Sequence, residues 1–162
     1  ESTISQEVRE TLRETGLDAQ WLELEITESS LMQNVESTLG KLVELRDAGV
    51  SISIDDFGTG YSSLSYLRHL PVDALKIDQS FIREISASRD NAAIVSATIA
   101  LAHTMDLKVV AEGVTTEEQI QFLQSHECDE VQGFILSPAV PPEELSRLLR
   151  QGTSVACLGR MH

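Results

Sequence analysis

Two neighbouring acids open the chemistry of this chain. Asp55 and Asp56 follow the alternating segment Ile52-Ser-Ile and precede Phe57-Gly-Thr-Gly60. Adjacent residues of a strand point to opposite faces, so two neighbouring carboxylates converge on one ligand only where the strand gives out. Three further groups sit in comparable positions. Glu25 and Glu28 belong to the alternating segment Trp21-Leu-Glu-Leu-Glu-Ile-Thr-Glu28, Lys76 and Asp78 to Leu75-Lys-Ile-Asp78, and Glu112 ends Lys108-Val-Val-Ala-Glu112. Hard divalent cations such as Mg²⁺ or Mn²⁺ take oxygen ligands of this kind. Two such ions sharing a carboxylate can activate a water near neutral pH, and a phosphate ester is the natural substrate class. Each feature also has a plain reading. Asp and Gly form ordinary turns, Glu25 suits an exposed edge strand, and Lys76 with Asp78 could be an internal ion pair. Gln132 alone is uninformative. The conjunction decides: successive strands deliver acid, acid pair, lysine and acid to one end of a sheet.

The elements that must position these groups alternate. Ile4, Val8 and Leu12 recur at helical spacing up to Gly16. Strand patterns follow over 21–28, 52–54, 75–78, 108–112 and 131–136. Helical patterns cover 37–48, 62–69, 91–104 and the stretch after Thr115-Thr-Glu-Glu-Gln119, which reads as a capping box. Pro142 opens a last helix, 143–150, and residues 153–162 read as a loose tail beyond a domain over 1–152. Strand followed by helix, five times, means a parallel sheet in an α/β fold. Strands with one polar face ending in carboxylates fit a (β/α)8 barrel better than a doubly wound sheet, although such a barrel takes about 250 residues.

Composition narrows the partners. Twenty-six acids against 12 bases give a formal net charge of −14, which argues against nucleic acid or an anionic membrane as ligand. Two cysteines without metal spacing, no long apolar run and no leader pattern point to a cytoplasmic setting, with any membrane anchor left to other parts of the parent. Residue 1 is Glu, and the chain is expected to be a piece of something longer.

Several segments in register resemble the EAL domain. They are Glu-Leu-Glu-Ile-Thr-Glu-Ser (23–29), Asp-Asp-Phe-Gly-Thr-Gly-Tyr-Ser-Ser-Leu (55–64), Leu-Pro-Val-Asp (70–73), Leu-Lys-Ile-Asp (75–78), Val-Val-Ala-Glu-Gly-Val (109–114) and Gln-Gly-Phe (132–134). The resemblance implies a (β/α)8-type barrel, of which this chain covers about five βα units. It implies Mg²⁺- or Mn²⁺-dependent hydrolysis of cyclic di-GMP to linear pGpG, with a homodimer and regulatory or GGDEF-type domains in the parent. Glu25, Asp55 and Asp56 then correspond to metal ligands, Lys76 to a lysine at the catalytic water, and Glu112 to the general base. Gln132 corresponds to a residue lining the site, Glu28 to a glutamate steadying the loop from Asp55 to Tyr61, and Asp78 to loop support. The Glu-Ala-Leu motif and the Asn-bearing strand of the family are absent, and with them two metal ligands; Thr115 stands where Glu is common. The resemblance therefore implies a parent that is an enzyme and an isolated chain with little or no turnover. The competing reading is an EAL module that binds the dinucleotide or dimerises without cleaving it.

Overall fold

The computed structural model describes residues 3–33, 35–60 and 67–150. They fall into two compact units, one running up to Lys76 and including Met105–Leu107, the other formed by Ile77–Thr104 and the residues from Lys108 onward.

In the first unit, α1 (Ile4–Thr15) starts at a capping box formed by Thr3 and Gln6. It stops at Gly16, which adopts φ 69° and donates its N–H to the Leu12 carbonyl. A left-handed residue there costs glycine little and satisfies an orphan carbonyl. A 3-10 turn at Ala19–Trp21 leads into β1 (Glu23–Thr27). Trp21, read as strand from the sequence, therefore lies in that turn and is 75 % exposed. β1 passes directly into α2 (Glu28–Gln33), a short helix that apolar periodicity does not announce. Then come α3 (Val35–Asp47), closed by Gly49 at φ 88°, and β2 (Ser51–Phe57). β1 and β2 are parallel, with Glu25 opposite Ser53 and Thr27 opposite Asp55. The helix expected over 62–69 lies largely outside the described residues. β3 (Ala74–Ile77) is buried along its whole length. Asp73 binds it to β2: its N–H donates to the Ile52 carbonyl at 2.8 Å, and its carboxylate accepts the Ile52 N–H at 2.9 Å. Ile52, Ile54 and Leu75 fill the core with Leu42 and Leu45 of α3, as period-2 strands and a period-3.6 helix require.

In the second unit, α4 (Gln79–Arg83) is capped by Asp78, whose carboxylate accepts the Ser80 N–H at 2.9 Å and the Ser80 hydroxyl. The strand expected over 75–78 thus ends at Ile77, because the Asp78 side chain serves the following helix. α5 (Arg89–Thr104) packs on α4 and on β4 (Lys108–Glu112) through Val95, Thr98, Ile99 and Ala102. The expected capping box is present at Thr116 and Gln119, opening α6 (Glu117–Ser125). β5 spans only Glu130–Gln132, parallel to β4 with Gln132 opposite Glu112. The strand expected over 131–136 stops at Gly133 because the backbone turns there to meet Val114: Ile135 donates to the Val114 carbonyl at 3.1 Å. α7 (Pro142–Arg150) begins at the expected proline. The sequence tail 153–162 lies outside the described residues. No helix among the described residues is long and apolar enough to cross a membrane.

Candidate active site

Lys76 is the centre of the polar face in the first unit. Its side chain is 5 % exposed, and its ammonium lies 2.5 Å from Oε1 of Glu25 and 3.4 Å from Oδ1 of Asp55. A buried ammonium without counter-charge is prohibitively desolvated, so β3 can carry this lysine only because β1 and β2 present carboxylates to it. The register makes this possible. Glu25 stands opposite Ser53, and Asp55 is two residues further on the same face of β2. Ser53 is fully buried and donates its hydroxyl to Oε1 of Glu23 at 2.7 Å.

Asp55 itself is incompletely satisfied. Its Oδ1 is buried and accepts no hydrogen bond from the described residues; the Lys76 contact at 3.4 Å is electrostatic and lacks hydrogen-bond geometry. Buried carboxylate oxygens normally have a partner, so this atom fits a hard cation as an oxygen donor. Asp56 supplies a second donor. Its φ of 55° is left-handed, a conformation Asp tolerates better than most residues but still at a cost of order 1 kcal/mol. That departure breaks the strand alternation, and the two neighbouring acids bring carboxylate oxygens within 4.8 Å of each other.

The glycine turn beyond them is held from α2. Glu28, 2 % exposed, accepts the Gly58 N–H at 2.9 Å. A Cβ on Gly60 would come within 2.8 Å of Oε1 of Glu28, so a side chain there would require the Glu28 carboxylate to shift. Tyr61 lies outside the described residues.

The second unit holds the remaining candidates. Glu112 ends β4 and Gln132 ends β5, side by side in register. Asp78 caps α4, a role the alternating pattern of its segment did not suggest. Sequence reasoning also missed Ser53 and the buried side chain of Gln119. Ser53 looked like one polar member of an alternation, and Gln119 was visible only as the last letter of a capping box.

This chain belongs to the EAL domain family, whose profile matches residues 1–139. Among its relatives, the cyclic di-GMP phosphodiesterase NbdA of Pseudomonas aeruginosa is 52 % identical over 149 residues, covering 92 % of this chain and 19 % of NbdA. The bifunctional diguanylate cyclase/cyclic di-GMP phosphodiesterase MucR of the same organism is 51 % identical over 138 residues, 85 % of this chain and 20 % of MucR. The chain thus spans about a fifth of the length of these curated relatives. A solved structure of the PaMucR phosphodiesterase in complex with c-di-GMP superposes with a TM-score of 0.83, covering 85 % of this chain and 56 % of that one. A manganese/cy-diGMP complex of Klebsiella pneumoniae BlrP1 reaches 0.73 at 35 % identity, covering 79 % of this chain and 33 % of the other. The fold is accordingly the α/β EAL fold, with five strands and their helices among the described residues.

Proposed function

We propose that this chain is part of a metal-dependent phosphodiesterase that hydrolyses cyclic di-GMP to linear pGpG in bacterial second-messenger signalling. The observation that carries the reading is the buried Oδ1 of Asp55, beside Lys76 and without a hydrogen bond from the described residues. Glu25, Asp55 and Asp56 would hold Mg²⁺ or Mn²⁺. Bound there, such an ion lowers the pKa of a coordinated water and offsets charge on the phosphate. Lys76, fixed between two carboxylates, orients the attacking water and neutralises charge that develops on the phosphoryl oxygens. Glu112 accepts the proton of that water as general base, and Gln132 contributes a neutral amide to the same wall. Glu28 keeps the Gly58–Gly60 turn closed, so that Asp55 and Asp56 stay in ligand geometry; Asp78 steadies the start of α4. Water adds across one phosphodiester and opens the ring.

The names of NbdA and MucR support the activity, and that of MucR supports a parent that also carries a cyclase domain; a cytoplasmic setting belongs to the same proposal. Self-association into a homodimer belongs to the same proposal. β1 is the terminal strand of its sheet, and Ile4, Leu17 and Trp21 around it are exposed.

The test is hydrolysis of cyclic di-GMP with Mn²⁺ by a full-length protein carrying this sequence, followed by chromatography of pGpG. Asp55→Asn should lower kcat by more than about 100-fold, beyond the loss usual for an outer-shell change, while the far-UV spectrum is preserved. Turnover that survives in Asp55→Asn, or in excess chelator, would sink the metal-dependent reading. Tight binding of the dinucleotide by the unaltered protein with no product would replace the enzyme with a binding module.

A further inference from the structure

The turn that follows Glu112 is held by a side chain with no place in the chemistry above. Gln119 is 4 % exposed although it sits in the first turn of a surface helix. Its Oε1 accepts the N–H of Thr115 at 2.7 Å and that of Thr116 at 3.0 Å, with the Thr115 hydroxyl at 3.4 Å. A capping box explains the Thr116 bond, in which the third helical residue reaches back to the cap. It does not explain the other end of the amide. Nε2 donates to the Ile82 carbonyl of α4 at 3.0 Å, across 37 residues of sequence. Glutamate, which caps as well as glutamine, has no hydrogen to give there when ionised.

The neighbouring backbone gives this bond its meaning. Gly113 has φ 70°, and a Cβ on it would lie 2.6 Å from Cβ of Gln79, so the turn is pressed against the start of α4. Val114, fully buried, donates to the Gln132 carbonyl at 3.1 Å. The turn from Gly113 to Thr116 is therefore pinned to β5 on one side and to α4 on the other, and Glu112 is the residue that enters it.

We propose that Gln119 is a positioning residue: its buried amide ties the turn after β4 to α4, and through that turn sets the place of the Glu112 carboxylate. The proposal rests on the reading of Glu112 as the base. It also makes glutamine, with one accepting and one donating end, the side chain that does both tasks.

The experiment combines hydrogen exchange with a double-mutant cycle in the full-length protein. Gln119→Met keeps the volume and removes both ends; Gln119→Glu keeps the acceptor and loses the donor. Gln119→Met should speed amide exchange at Thr115 and Thr116 by at least about tenfold, since their N–H groups lose their acceptor. With Mn²⁺ and cyclic di-GMP, kcat per folded molecule should fall by about tenfold while KM moves by less than about twofold, because misplacing a reacting group by a fraction of an ångström costs rate. Gln119→Glu should keep slow exchange at both threonines and still lose kcat. In a Glu112→Gln background, Gln119→Met should cost no further rate, as expected of residues acting through one another. Unchanged exchange in Gln119→Met, unchanged kcat per folded molecule, or fully additive losses in the double variant would each overturn the proposal. Undiminished hydrolysis by Glu112→Gln would instead bring down the reading on which it rests, whatever the exchange rates at Thr115 and Thr116.

Discussion

Cys128 is wholly buried beside β4 and β5, its thiol against the carbonyls of Val109 at 3.6 Å and Glu130 at 3.4 Å. Burial pushes its pKa up to about 12, because the thiolate would lose its hydration. Two consequences follow at this scale. The thiolate is the reactive form, so in a Cys157→Ser background native protein at pH 8 should not react with a disulfide reagent, and one thiol should appear on unfolding. Rapid native labelling would contradict the burial. A thiol whose pKa is raised in the folded state contributes stability that is intact below the ordinary value of 9.0 and is lost as pH rises toward 12. A Cys128→Ala variant should therefore lose less stability between those limits than its parent, as read by urea unfolding. The buried Lys76 ammonium is placed differently: two carboxylates, those of Glu25 and Asp55, surround it and offset the cost of burying its charge.

At the scale of elements, the close approach of two turns decides where a side chain cannot be added. Gly133 is the clearest case: a Cβ there would lie 2.1 Å from the Val114 carbonyl oxygen and 2.4 Å from its nitrogen. Those are backbone atoms that cannot rotate away. Gly133→Ala must separate the turn after β4 from the turn after β5 and break the Val114–Gln132 and Ile135–Val114 bonds, each 3.1 Å. The expected loss is about 3 kcal/mol, at the high end for overpacking, measured by chemical unfolding. A loss under about 0.5 kcal/mol, as at an ordinary surface site, would mean that the two turns are not held together. Most helices and strands here were legible in advance. α1, α3, α5, α6 and α7 lie where apolar spacing, capping residues, Gly16, Gly49 and Pro142 put them. The misplaced strand ends share one cause. Trp21, Asp78 and Ile135 continue an alternating pattern by type, yet a 3-10 turn, a helix cap and a backbone pairing claim them. Pattern sees side-chain polarity, whereas element ends are decided by where backbone groups find partners.

At the scale of the whole molecule the chain is one part of an EAL domain, spanning 56 % of the PaMucR chain it resembles. A divalent cation of this class wants about six oxygen ligands. Glu25, Asp55 and Asp56, the proposed ligands, offer three carboxylates, and Lys76 already engages two of them. The 162-residue chain on its own should therefore bind Mn²⁺ weakly and turn over cyclic di-GMP at a small fraction of the rate of the full-length protein. Side-by-side calorimetry and hydrolysis would decide. Equal rates would mean that the carboxylates of this chain suffice.

Residue types and their order were enough for the α/β alternation, the EAL family and the candidates Glu25, Asp55, Asp56, Lys76, Glu112 and Gln132. Those features are written in local periodicity and in motifs a few residues long. The tertiary structure decided matters of partnership. It set Lys76 between Glu25 and Asp55, left Oδ1 of Asp55 buried without a hydrogen bond from the described residues, closed the Gly58 turn on Glu28, and sent the Gln119 amide to the Ile82 carbonyl. The contacts among these join residues 21 to 51 positions apart, and contacts of that range exist only once the chain has folded.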